Sequence, residues 1–391
     1  MDQPAIKPRI DSPARLLGWL EAPGPAVFFG QDLRVYSDVL AARPLLGCAF
    51  LGCTLSPLLA ELAALQGCLI MPRLEGVPFD AYLPTLYSPQ QLYDLFDPDD
   101  PVDSYARCLD WRIYCSFMDP VSRRPRPTGL EEVLARRLHD GAISEALHAI
   151  LDLPTRLRTV AIMGGHDAPR GTALYAEVAR LAQQLTQQGY LLLTGGGPGL
   201  MEAANLGAYT AGFQHASVRL EQALQGLAAA PVYHHPLWLA TAHRVWQQLG
   251  PPDDPHQSLN LGIPTWFYGH EPPNVFATHI AKYFENSLRE EGLLAVALGG
   301  VIFAAGNAGT VQEIFQDACQ NYYRTYENHR SPMVLLGRDH WQVQKPAHPL
   351  LYRLAAEKGF AELLLLTDQP REALAFIRQH SPLVSPAAPT A

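Results

Sequence analysis

Apolar runs of four or five residues recur along the second half of the chain, and each stops at a cluster of small residues. TVAIM (159–163) ends at Gly164 and Gly165 and predicts a buried strand followed by a turn. Over 172–187 the period changes. Leu174, Val178, Leu181 and Leu185 fall at helical spacing, and Gly189 stops that helix. YLLLT (190–194) predicts a second buried strand, which runs into Gly195, Gly196, Gly197, Pro198 and Gly199 and then a helix over 200–208. The pattern returns with a strand at 300–304, a small-residue turn at 305–310 and a helix at 311–323. A strand at 333–336, a helix at 348–358, a strand at 363–367 and a closing helix at 370–377 with proline at its start complete it. Between the halves, 217–249 reads as a helical insertion and 260–268 as another strand. Strands alternating with helices are the grammar of a doubly wound parallel sheet.

The first 130 residues predict a smaller α/β unit. A strand at 46–51 is followed by Ser56-Pro57, an N-cap and first-turn pair opening a helix to Leu65, and by a strand at 68–71. No glycine-rich turn accompanies these strands, which assigns the unit to packing or dimerisation before catalysis. Proline-rich stretches at 119–129 and 250–256 read as joints. The expected organisation is therefore an N-terminal α/β unit (1–130), a Rossmann-like domain (131–380) carrying the insertion, and a disordered tail (381–391) without periodicity.

Composition narrows the function. With 48% hydrophobic and 17% charged residues the chain is not wholly disordered. Its 29 Lys and Arg against 38 Asp and Glu give a net charge of −9, which removes the long-range field for polyanions and argues against nucleic acid as the main partner. The most apolar stretch, 44–72, is interrupted by Pro57 and Glu61, so no membrane span of ~20 residues is expected. The first ten residues lack the apolar core of a signal peptide. The six cysteines form no CxxC pair and mostly sit in apolar runs, the pattern of buried thiols in a reduced, cytoplasmic protein. No Cys, His or Asp cluster has metal spacing; His234-His235 precedes Pro236 in a loop. No metal or cofactor is expected.

In a parallel sheet, ligands bind at the carboxyl ends of the strands, where both glycine turns fall. In TGGGPGLMEAA, glycines between a strand and a helix let backbone amides approach an anion, although a tight strand-to-helix turn selects glycine for its own sake. The sequence is neither the GxGxxG of dinucleotide enzymes nor a P-loop. In FAAGNAGTVQEIF, Gly306, Asn307, Gly309 and Thr310 precede Glu313, a carboxylate one turn into the helix. Thr310-x-x-Glu313 also has the form of a capping box. WFYGHEPPN places Trp266, Tyr268, His270 and Glu271 after a predicted strand, either to stack a base or to close a buried strand end.

TGGGPGLMEAANLGA and AAGNAGTVQE resemble the two signatures of the Lonely guy (LOG) family, GGGxxGLM and PGGxGTxxE. RGTALY (170–175) is similar to its GxxPxY, and the resemblance runs over 158–379. It implies a Rossmann-like fold, a homodimer, and hydrolysis of the N-glycosidic bond of a nucleoside 5′-monophosphate to free base and ribose 5-phosphate. The chain looks more like the larger bacterial nucleotide nucleosidases of that superfamily than the short plant-type members. Gly164, Gly165, Gly195, Gly196, Gly197, Gly199, Gly306, Asn307, Gly309 and Thr310 would then hold the nucleotide, with amides at Gly196 and Gly309 facing the phosphate. Glu313 would stabilise the oxocarbenium-like ribose. Ala305 replaces the motif proline and Asn307 its second glycine. The family's HERK element, source of a catalytic arginine, is matched only by THIAK (278–282), with Ala281 at the arginine position. Arg289, read as lying further along the same helix, substitutes for it, and Arg289 or Lys282 neutralises the phosphate. The alternative is a nucleotide or cofactor carrier of the same fold without catalysis.

Overall fold

The computed structural model describes residues 7–267, 271–326 and 328–381. All of the expected tail (381–391) except Ser381, together with Tyr268 and His270, lies outside the described residues. The chain divides into two compact units that are not consecutive stretches: 1–86 with 126–146, and 87–125 with 147–391.

The smaller unit is built on a four-stranded parallel sheet of β1 (Arg9–Ile10), β2 (Val27–Phe29), β3 (Ala49–Leu51) and β4 (Leu69–Met71), in that order. Helices α1 (Pro13–Glu21), α2 (Ser37–Ala41) and α3 (Pro57–Leu65) connect the strands. Ser12 and Ser56 cap α1 and α3 by accepting from Arg15 and Leu59 amides, and each is followed by a proline at the first helical position. Phe28 stacks on Phe50 at 4.9 Å with Trp19 edge-on to Phe28, and this apolar centre holds the unit together. Strands β1 and β2 escape the sequence pattern because two or three residues are too few for a period to register.

The larger unit carries a seven-stranded, all-parallel sheet in the order β11-β10-β9-β5-β6-β7-β8. Its strands are β5 (Thr159–Met163), β6 (Leu191–Thr194), β7 (Asn260–Gly262), β8 (His279–Ile280), β9 (Gly300–Phe303), β10 (Met333–Leu336) and β11 (Leu364–Thr367). Helices α5 (Ala173–Gln187), α6 (Leu200–Thr210), α7 (Ala216–Leu227), α8 (Trp238–Leu249), α9 (Asn286–Ala295), α10 (Ala308–Tyr323), α11 (Ala347–Lys358) and α12 (Pro370–His380) complete the Rossmann-like, doubly wound architecture, after α4 (Leu109–Phe117). β5, β6, β9 and β10 are buried along their whole length, which explains why they read as unbroken apolar runs. From β5 the chain adds strands outward to β8, then returns with β9 on the other side of β5. The strand order reverses there, so the crevice lies between β5 and β9 at their carboxyl ends.

Two expectations are corrected here. The strand expected over 260–268 is only Asn260–Gly262. Residues 278–282, expected on one helix with Arg289, are not helical: His279 and Ile280 form the short strand β8, and helix α9 begins only at Asn286. His279 to Phe284 are mostly buried on both sides of the chain, a burial no amphipathic helix has. Among the described residues no helix is long and apolar enough to cross a membrane, and no group of three His, Cys, Asp or Glu is placed to hold a metal.

Candidate functional site

Residues of both glycine turns line one cavity of about 400 Å³ at the carboxyl ends of β5, β6 and β9. Of the residues expected from sequence, Gly164, Gly165, Gly195, Gly197, Asn307, Gly309, Thr310, Arg289 and Glu313 line it. Glu271, singled out after the expected strand over 260–268, lines it too, and His166, Met201, Pro264 and Glu290 join them. A second cavity of about 360 Å³ opens near Arg158, Gly189 and Tyr190, at the amino ends of β5 and β6, the wrong end of a parallel sheet for its chemistry.

The first turn is fixed from beneath by a buried amide network. Thr194 Oγ1 accepts from Gly196 N–H at 2.9 Å and donates to Asn205 Oδ1 at 2.7 Å. Asn274 donates its N–H to the Gly196 carbonyl at 2.9 Å, and its Nδ2 to the Gly197 carbonyl at 3.1 Å and to Asn205 Oδ1 at 2.8 Å. Asn205 in turn donates to Asn260 Oδ1. Gly196, expected to face a phosphate, is thus turned inward. Its φ is +73°, and a Cβ there would come within 2.7 Å of Pro264. Glycine is required for the turn to lie against the segment after β7. Gly199 and Gly306 also lie off the cavity lining; the Gly306 amide is 3.2 Å from His340 Nε2.

The second turn is the open one. Asn307 is the N-cap of α10 but makes no side-chain capping bond, and no capping box forms at Thr310 and Glu313, because Thr310 is already the third helical residue. The amides of Ala308, Gly309 and Thr310 therefore carry the unpaired donors of the helix start toward the cavity they line. Lys345 Nζ donates to Asn307 Oδ1 at 2.9 Å, which puts a cation beside this turn. The expected cation, Lys282, is elsewhere. Its side chain is fully buried and bonded to Asp110 at 2.7 Å, where Trp266 Nε1 also donates. Trp266 itself is buried in that cluster and does not line the cavity. Burial pushes the Lys282 ammonium down, against the pull of Asp110.

Between the turns sit the charged groups. Arg289, on α9, donates Nε to the Ile263 carbonyl at 2.8 Å and Nη1 to Glu290 at 2.7 Å, and lies 3.4 Å from Glu313 Oε1. Its Nη2 comes within 2.5 Å of where a Cβ on Gly195 would stand, so glycine at 195 is what admits the guanidinium. Burial, with Glu290 adding to it, pushes the Glu313 carboxyl up to about 8, although Arg289 pulls the other way. Against its own burial, Arg289 is held charged by Glu290 and Glu313. Glu271 is raised by burial, against His166 and Arg289. One arginine thus meets two carboxyl groups, Glu290 and Glu313, next to an open helix start, and Glu271 lines the same cavity.

Residues 157–220 match the family model of SLOG cluster4. The match spans β5, the first glycine turn and α6 but stops short of the second turn and Glu313. No sequence among curated proteins matches the chain. Similar solved structures include the Moco carrier protein from Chlamydomonas reinhardtii, at 17% identity over 56% of this chain and 95% of that one, with a TM-score of 0.35. Another is the molybdenum cofactor binding protein from the phototrophic bacterium Rippkaea orientalis, at 16% identity, the same two coverages and the same TM-score.

The sequence pointed to the glycines, Arg289 and Glu313 but not to Glu290, His166, Asn274 or Lys345. Glu290 and His166 adjoin residues that were singled out, and their position just past a strand or beside Arg289 is the signal that would have found them. Asn274 and Lys345 come from distant loops, and no spacing reports such an approach.

Proposed function

We propose that the larger unit is a LOG-like nucleotide domain that binds a nucleoside 5′-monophosphate and hydrolyses its N-glycosidic bond. The observation that carries this reading is the Glu313–Arg289 pair beside the uncapped start of α10. Helix amides and Lys345 suit a 5′-phosphate, while Glu313, Glu290 and Glu271 line the same cavity. A wall of carboxyl groups repels a bound anion but favours a ribose that becomes cationic at C1′. Glu313 in its ionised form offsets that charge, and Arg289 sets the position of Glu313.

One observation favours carriage without cleavage. Arg289 is already engaged by the Ile263 carbonyl, Glu290 and Glu313, so its Nε and Nη1 are taken up within the resting site. Incubation with each of the five common nucleoside 5′-monophosphates, with chromatography for free base and calorimetry for binding, separates the readings. Free base from the wild type, absent with Glu313→Gln, is the expected result. Tight binding without free base would overturn hydrolysis in favour of a carrier; no binding would remove both.

A further inference from the structure

The glycosidic bond has two sides, and Glu313 with Arg289 accounts only for the ribose. A purine or pyrimidine leaves with its bonding electron pair and needs a proton. Glu271 and His166 line the same cavity. Glu271 follows β7 in the chain, and a Cβ on Gly197, in the turn after β6, would lie 3.3 Å from its Oε2. The open start of α10 follows β9, two places across the sheet from β6. At ~4.8 Å per strand the two positions are roughly 10 Å apart. That spacing leaves room for a ribose between a phosphate on α10 and a base near Glu271.

His166 connects this end to solvent. Its Nδ1 is 3.4 Å from Glu271 Oε1 and its Nε2 is 3.0 Å from Asp167, whose side chain is 60% exposed. Tyr233 stands edge-on to the imidazole at 5.5 Å. Burial raises the Glu271 carboxyl, so more of it carries a proton than an open glutamate would.

Building on the hydrolytic reading above, we infer that Glu271, held by His166, is the general acid that protonates the departing base. The C1′–N bond breaks with its electron pair on the base, and the Glu271 carboxyl supplies the proton that neutralises it. Water adds to C1′ and gives its proton to the Glu271 carboxylate so formed. The acid is restored, and one water is consumed for each base and ribose 5-phosphate released.

A substrate whose leaving group needs no proton tests this. Glu271→Gln and Glu313→Gln are each assayed on a nucleoside 5′-monophosphate that the wild type cleaves and on 4-nitrophenyl riboside 5-phosphate. Glu271→Gln should lose about 100-fold or more on the nucleotide while staying within about 3-fold of wild type on the nitrophenyl compound. Glu313→Gln should lose heavily on both. Equal losses on both compounds with Glu271→Gln, or no loss on either, would overturn the acid role and leave the hydrolytic reading standing. A wild type that cleaves neither compound would overturn both.

Discussion

At the residue scale the site turns on protonation. Glu313 is useful to an oxocarbenium ion only as a carboxylate, and its carboxyl is raised to about 8 by burial. On 4-nitrophenyl riboside 5-phosphate, whose leaving group needs no proton, kcat/KM should therefore climb with pH to half its maximum near pH 8, because the active form of Glu313 is the one above the pKa. Glu313→Gln should erase that limb and lower kcat by ~10²-fold or more. A flat profile in the wild type would remove Glu313 from the chemistry. The glycines divide by what surrounds them. Nothing lies within 4 Å of a Cβ built on Gly309, whereas one on Gly196 meets backbone. Gly309→Val should keep the wild-type melting temperature within a degree or two yet weaken nucleoside monophosphate binding by about 10-fold, with free nucleoside little affected. Equal weakening of both ligands would contradict a phosphate on α10.

At the scale of elements, buried charge holds the helices around the site. Arg170 and Glu202 are 3% and 0% exposed. Arg170 donates to Glu202 at 2.7 Å and to the Ala230 and Trp238 carbonyls, tying α6 to the α7–α8 insertion. Tyr175 adds a bond to Glu202 at 2.8 Å. Arg170→Ala leaves the Glu202 charge uncompensated and should cost about 3–5 kcal/mol in denaturant unfolding, whereas replacing both partners by apolar residues should cost much less. One helical turn beyond Glu313, Asp317 is 1% exposed with its carboxyl pushed up to about 8 by burial. Its folded-state value exceeds the unfolded one near 4, so the folded chain holds the extra proton between them. Asp317 then makes stability fall as pH rises from about 4 to about 8, by at most ~1.4 kcal/mol per pH unit, levelling off above, and Glu313 adds a like decline. Asp317→Asn should make the decline in thermal melts shallower by its share; parallel curves for mutant and wild type would refute it.

At the scale of the whole molecule, dimerisation is proposed. Leu200, Met201 and Leu206, apolar residues on the helix after the first glycine turn, are covered within the chain itself. On α10, Ile314 is buried, Phe315 and Tyr322 are half-buried, and Tyr323 is 74% exposed. That helix is where a second copy would sit. Light scattering at micromolar concentration should give about twice 43 kDa, and a mass near 43 kDa would end the proposal.

The elements whose own residues carry the signal were legible in the sequence. Strands buried on both faces show as continuous apolar runs, amphipathic helices show their period, and glycine clusters mark the turns. On that basis β5, β6, β9, β10, the helices after them and the two turns could be read, with Glu313 beside the second turn; Arg289 entered through the resemblance and on a helix that the structure moves. The tertiary structure alone decided which turn is open. Gly196 looks like an anion-binding glycine until Thr194 and Asn274, 80 residues apart in part, take up its polar groups. Lys282 looks like a free cation until Asp110, 172 residues away, neutralises it. Hydrogen bonds and burial between segments distant along the chain set the direction of an amide and the availability of a charge, and local spacing carries no record of them.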